Sequence, residues 1–177
     1  MKDAVFKVCI FGDGGVGKTS LVNRYLTGVF TEGTSMTLGL DFHVKSLKIN
    51  DLEVGLQIWD FAGEEEFRHL LARYVLGSNG GIFMYDMTRY SSLQHLDDWL
   101  QVFKEGMKGE EEQIPFIMVG GKLDLKETRT ISVQEASDLA DSKSFKGYIE
   151  CSAKTGENIQ KIFEDIARLM LEKSGMK

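Results

Sequence analysis

Cysteine and proline are nearly absent from this chain: Cys9, Cys151 and Pro115 are all there are in 177 residues. Two cysteines in apolar stretches make neither a disulfide framework nor a metal site, and they are expected as buried thiols in a reducing compartment. The single proline opens an apolar run, the strand position where its missing N–H costs least. The three histidines, His43, His69 and His95, lack metal-ligand spacing and are assigned no role. No apolar run is long enough to span a membrane, and no secretory leader is recognised. A basic stripe is missing too: 21 Lys and Arg are scattered among 27 Asp and Glu, a formal net charge of −6, which argues against a nucleic-acid partner. The last residues, Glu172 to Lys177, contain no cysteine, so no lipid anchor is expected from this chain. A cytoplasmic location is expected, with any membrane contact made through partners.

What is present, 42% hydrophobic and 27% charged residues, is ordinary for a globular protein, and the length suits one domain over residues 1–177. The stretch that organises it is Gly12-Asp13-Gly14-Gly15-Val16-Gly17-Lys18-Thr19. It follows the apolar run Ala4 to Phe11 and opens a helical pattern near Lys18. Strand, glycine-rich turn and helix start are the context a phosphate-binding loop G-x-x-x-x-G-K-[ST] requires. Glycines let the backbone turn its N–H groups inward where a side chain would block a phosphate. The helix start adds unpaired donors and a positive dipole end. Lys18 is placed to reach β- and γ-phosphates and the Thr19 hydroxyl to ligate Mg²⁺. A chance match is expected in roughly one chain of this length in two hundred, so the stretch is read as a nucleotide site.

Strand and helix signals alternate without a linker, repeat or low-complexity segment. A helix is predicted over Lys18 to Thr27, then a mobile polar loop over Gly28 to Met36. Leu40 to Ile49 and Leu52 to Trp59 both alternate with period two around Asn50-Asp51, an antiparallel hairpin. Gly81 to Tyr85 and Phe116 to Val119 are short continuous apolar runs, the mark of parallel strands buried on both faces. Leu93, Leu96, Leu100, Phe103 and Met107 space as one helix with a buried stripe, and Ile159, Ile162, Phe163, Ile166 and Met170 as another. Lys146 to Cys151 is a last short strand. The sum is an α/β fold: a six-stranded, mostly parallel sheet with one antiparallel edge strand and helices on both faces, with ligands at the carboxyl ends of the strands.

The second hairpin strand ends Leu56-Gln57-Ile58-Trp59-Asp60, followed by Phe61-Ala62-Gly63. An aspartate leaving a hydrophobic strand beside a phosphate loop can hold Mg²⁺ through water, and Gly63 offers an unobstructed N–H to a γ-phosphate. With these residues the chain resembles a small GTPase of the Ras superfamily, from about Val5 to the final helix. Leu38-Gly39-Leu40-Asp41-Phe42, Leu56 to Asp60, Tyr85-Asp86-Met87-Thr88 and the later Trp99-Leu100 are similar to the Rab branch. The resemblance implies a phosphate-loop nucleotide hydrolase fold and a site for GTP or GDP with Mg²⁺. By it, Gly14, Gly15, Val16, Gly17, Lys18, Thr19 and Ser20 hold the phosphates. Thr19, Thr37 and Asp60 hold the metal, Thr37 only with GTP. Phe30 covers guanine, and Lys18, Thr37, Gly63 and Glu64 serve the hydrolytic step. Lys122, Asp124, Leu125, Ser152, Ala153 and Lys154 match the base-reading motifs. One carboxylate, Asp124, can accept from both N1–H and N2–H₂ of guanine, a pair adenine does not present, while lysine stems pack along the base. Switch loops are expected at about 32–41 and 61–75. Effector, exchange-factor and GTPase-activating proteins are the implied partners of what is expected to be a monomer.

Three departures stand out. Glu64 occupies the place of the family's water-orienting glutamine; an ionised carboxylate only accepts, where an amide also donates. Slow hydrolysis is therefore expected, unless Glu64 serves as a base or points away. The family's Asn-Lys-x-Asp is here Gly121-Lys122-Leu123-Asp124, which keeps the guanine-reading Asp124 but predicts weaker affinity. Met36 and Phe61 bring extra apolar bulk to the switches, as packing or as partner surface. Arg68, Arg73 and Arg89 admit a reading as catalytic fingers, but isolated surface arginines are far commoner. The main alternative is a GTP-binding interaction module with little turnover; a phosphate-loop kinase fits poorly with the guanine motifs.

Overall fold

The computed structural model describes residues 1–33, 36–110 and 114–176. Part of the expected first switch loop, Thr34 and Ser35, thus lies outside the described residues, as does Lys177. Strands β1 (Ala4–Phe11), β2 (Leu40–Ile49), β3 (Leu52–Phe61), β4 (Gly80–Asp86), β5 (Phe116–Gly121) and β6 (Tyr148–Glu150) form one sheet in the order β2-β3-β1-β4-β5-β6. The β2–β3 pair is antiparallel and every other pairing is parallel, with β2 on the edge. The expected sheet is therefore the observed one. The last strand is shorter than Lys146 to Cys151, and buried Cys151 follows it.

Helices α1 (Lys18–Thr27) and α6 (Ile159–Lys173) cover one face; α2 (Arg68–Tyr74), α3 (Tyr90–Gln94), α4 (Leu96–Met107) and α5 (Val133–Ser142) cover the other. Two apolar layers result because successive strand residues point to opposite faces. Val8 and Ile10 of β1 join the α1–α6 side, while Cys9 and Phe11 join the other. All five α6 residues of the predicted stripe are buried, and Phe163 stacks on Tyr25 of α1 with ring centroids 3.9 Å apart. Strand β4 is buried along its whole length, as a central parallel strand must be.

The sequence pattern missed one helix break and left one strand's facing open. The single helix through Leu93 to Met107 is two, parted at His95, whose φ of −82° and ψ of 6° leave the helical region. Beyond the break Trp99 is fully buried on α4, while Leu100 is only half-buried. In β2 the alternation is real, but its apolar members Phe42 and Val44 face solvent while His43, Lys45 and Leu47 are half-buried. Helix α5 begins with a local signal of its own: Ser132 and Glu135 form a reciprocal capping box.

Candidate functional site

The phosphate loop crosses from β1 to α1 at the carboxyl end of the sheet. Its backbone shape depends on glycine: Gly12 has φ 143°, and a Cβ there would stand 2.1 Å from the Met84 carbonyl oxygen of the neighbouring strand. Val16 turns into the core. Gly14, Gly15, Gly17, Lys18, Thr19 and Ser20 line one side of a cavity of about 260 Å³, with Thr37, Gly63, Glu64 and Lys122 around the rest. Met36, Phe61 and Ala62 complete it. The two bulky switch residues part company: Phe61 is buried in the core, whereas Met36 is largely exposed.

Lys18 lies almost wholly buried beneath the loop, its Nζ donating to the carbonyls of Gly12 at 2.9 Å and Asp13 at 2.7 Å. Burial lowers its pKa to about 8 against the pull of Asp60, Glu64 and Asp13, with Arg89 adding to the lowering. The metal candidates converge on one hydroxyl. Thr19 Oγ1 donates to Asp60 Oδ2 at 2.7 Å and is hydrogen-bonded to Thr37 Oγ1. Asp60 Oδ1 is buried with no partner among the described residues, and burial raises the pKa of this carboxyl despite the Thr19 bond and Lys18. Two hydroxyls and a carboxylate with a spare, desolvated oxygen are hard donors that suit Mg²⁺ directly or through water.

Gly63 presses on the loop so closely that a Cβ would fall 2.1 Å from Gly14 N and 2.2 Å from Asp13 C. No residue with a side chain fits there without displacement. Glu64 does not point away: it lines the cavity, Oε1 lies 2.6 Å from where a Cβ on Gly14 would be, and Oε2 is buried without a partner among the described residues.

The base-reading candidates sit outside this cavity, beyond Lys122. Asp124 Oδ1 accepts from Ser152 Oγ at 2.7 Å, and Ser152 Oγ accepts from Thr155 N at 3.1 Å. Leu123 N donates to Cys151 O at 2.9 Å, joining the two motifs through backbone. Lys122 Nζ pairs with Asp86 Oδ2 at 2.7 Å. Burial would raise the Asp86 pKa, but the bonds from Lys122 and Thr88 outweigh it and hold the carboxyl below its ordinary range. At Gly121 a Cβ would stand 2.5 Å from the Met84 methyl and 3.0 Å from the Val16 carbonyl, so Met84 occupies the space beside this glycine. Leu125 is exposed and Phe30 half-buried.

Residues 7–172 match the sequence model of the Ras family. The chain belongs to the Ras family. Among its relatives are the Ras-related protein Rab-1 of Theileria parva, 38% identical over 97% of this chain and 76% of that protein, and human Rab-30, 39% identical over 96% and 82%. Rab-7a of Paramecium octaurelia is 39% identical over 94% and 82%. Ras-family proteins are GTP-binding switches and GTP hydrolases that take guanine nucleotide with Mg²⁺, and this Rab-like small GTPase has their phosphate-loop fold. No helix among the described residues is long and apolar enough to cross a membrane.

Two sets of contacts on the phosphate loop of this Ras-family chain were not read from sequence. Asp13 accepts from Trp99 Nε1 at 2.8 Å and pairs with His95 Nδ1 at 2.5 Å. His95 and Trp99 are four residues apart, so one face of the α3–α4 corner carries both; only that spacing hinted at a joint role. Arg89 is the other. Its Nη2 donates to Gly14 O at 2.6 Å. Beside the switches, Phe42 and Trp59 meet edge-on at 5.2 Å and Trp59 stacks on Tyr74 at 6.2 Å, leaving Phe42 and Tyr74 partly exposed as an aromatic surface.

Proposed function

We propose that this chain is a switch that binds GTP or GDP with Mg²⁺ and hydrolyses GTP slowly by itself. The observation that carries the rate is Glu64, whose carboxylate faces the phosphate loop against Gly14 with one oxygen unpartnered among the described residues. An acceptor-only group there offers no donor to orient water and adds negative charge where the transition state spreads more of it. Loss of one oriented donor typically costs about 2.7–4 kcal/mol, or roughly 10²–10³ in rate.

In the step itself, a water oxygen bonds to the γ-phosphorus. The bond from that phosphorus to the β–γ bridging oxygen breaks with its electron pair on the oxygen, and the water's proton passes to the phosphate product. Loop N–H groups and Lys18 bind the β- and γ-phosphates and steady the growing charge; Gly63 N–H is available to the γ-phosphate. Mg²⁺, when bound, supplies positive charge to the phosphate oxygens, and Thr19, Thr37 and Asp60 are the residues to hold it. Asp124, oriented by Ser152, reads guanine, with Ala153, Lys154, Leu125, Lys122 and Phe30 around the base. Effectors recognise the GTP form through the switches and the Phe42–Trp59–Tyr74 surface, and an activating partner supplies what Glu64 does not.

The test is the bound GTP:GDP ratio followed over hours in protein loaded with GTP and Mg²⁺, beside Glu64→Gln. Wild type holding GTP while the variant hydrolyses it is the expected result. Equal rates would remove the role given to Glu64. A second reading, a GTP-binding interaction module with almost no turnover, is favoured by Met84 filling the space at Gly121 together with Glu64. Measurable single-turnover hydrolysis removes it.

A further inference from the structure

Arg89 is exposed by residue but not free to roam. Its backbone belongs to a pinned turn: Asp86 Oδ1 accepts from Thr88 N at 2.8 Å and Thr88 Oγ1 at 2.6 Å. Arg89 N donates to Asp86 O at 3.0 Å, and the Arg89 carbonyl accepts from Ser92 Oγ at 2.7 Å. Ser92 is fully buried and its Oγ accepts from Asp86 N at 3.0 Å. The end of β4 thus fixes where the arginine starts, and β4 lies beside β1, which carries the phosphate loop.

From there the guanidinium spans to the loop. Nη2 donates to Gly14 O, and Nη1 lies 3.9 Å from where a Cβ on Gly15 would be. Among the described residues Gly14 O is the acceptor recorded for this guanidinium, leaving most of its five N–H donors unspent. Glu64 Oε1 lies against the same Gly14. A fixed cation and the anion that departs from the family pattern therefore meet at one glycine of the phosphate loop.

We propose that Arg89 is a catalytic residue of this site, an arginine supplied by the chain itself that donates to the γ-phosphoryl oxygens of GTP and offsets the Glu64 carboxylate. This rests on the GTP-binding reading above and deepens it. A planar guanidinium anchored at one nitrogen presents its remaining donors as a fork suited to phosphate oxygens, and such a charge acts most where the transition state gathers negative charge. The diphosphate, lacking those oxygens, gains little from it.

The experiment compares wild type, Arg89→Ala and Arg89→Lys by titration with GDP and with a non-hydrolysable GTP analogue, each with Mg²⁺, and by single-turnover GTP hydrolysis. Melting of the GDP-bound forms checks the fold. The expected result for Arg89→Ala is an analogue affinity down about tenfold, the size of one charge-assisted contact, with GDP affinity within about twofold, and hydrolysis slowed by at least about tenfold. Arg89→Lys falls between. An unchanged ratio of analogue to GDP affinity overturns the proposal, as does an equal loss of both nucleotides, which would make Arg89 a brace for the loop. If wild type binds neither nucleotide, the GTP-binding reading itself fails, and this inference with it. Where wild-type hydrolysis is too slow to follow, the affinity ratio alone decides.

Discussion

The two halves of the nucleotide site are prepared in opposite ways. In the phosphate half the cations and hydroxyls are engaged within the chain: Lys18 on the Gly12 and Asp13 carbonyls, Thr19 on Asp60 and Thr37, Arg89 on Gly14, while one oxygen each of Asp60 and Glu64 has no partner among the described residues. In the base half Asp124 is held at one oxygen by Ser152 and keeps the other to offer. On the proposed reading, a ligand's phosphates must exchange bonds that the protein makes to itself, whereas a base meets an acceptor already oriented by Ser152. The lesson is one of charge. A buried ammonium and a buried carboxylate cannot stand unpaired, so they bind neighbours until phosphate and metal arrive. An exposed carboxylate is kept by water and needs only orientation.

The largest test of this contrast is Lys18→Ala. Removing a buried cation proposed to bind two phosphates is expected to cost about 3–5 kcal/mol, or roughly 10²–10³ or more in affinity for GTP and GDP alike by calorimetry. A loss no larger than that of Asp124→Ala would erase the distinction between the halves. Next is Gly63→Ala. Its Cβ must push the second switch off the phosphate loop, so hydrolysis is expected to fall about 10²-fold for a displacement near 1 Å, with GDP affinity kept. Smaller again, Asp124→Ala should weaken guanine nucleotides by about 1–3 kcal/mol and narrow the gap between GTP and ATP in competition. Ser152→Ala, which removes only the orienting bond, should cost about 1 kcal/mol.

The smallest effect sharpens the boundary between the halves at Lys122–Asp86. The carboxyl titrates below its ordinary range in the folded chain. The folded state therefore holds fewer protons than the unfolded one as pH falls through the ordinary carboxylate range, and the stabilisation, full above that range, is lost on the way down. Asp86→Asn should remove that part of the acid slope in melting curves. At neutral pH it should cost about 1 kcal/mol, or roughly 2–4 °C. An unaltered slope would mean the pair contributes no net stability.

Much of the site was legible because its parts are local. A phosphate loop is strand, glycines, lysine and helix start in one stretch, and its residues line the cavity together. Asp60 leaves β3 beside it because parallel pairing sets Ile10 against Asp60. The stripes of α6 and the buried run of β4 were readable for the same reason: periodicity is written residue by residue. The contacts the sequence missed were distant ones. Asp13 meets His95 and Trp99 across 82 and 86 residues, and Gly14 meets Arg89 across 75. Nothing in the spacing around His95 marks the helix break, at which the His95 ring meets Asp13. The outward face of Phe42 and Val44 was likewise hidden, since alternation reveals two faces but not which one the core takes.

By itself, then, the sequence determined the order of elements and the strand, glycine turn and helix start that carry Lys18 and Thr19, and it proposed a guanine-type motif around Asp124. These depend on backbone propensity and on chemistry carried within a few neighbouring residues. Only the tertiary structure decided which distant groups face each other: that Glu64 turns toward Gly14, that Met84 fills the space at Gly121, and that Arg89 lies across the loop. Such pairings depend on crossover strands packing side by side in space, and a linear chain does not record distances between segments it has yet to bring together.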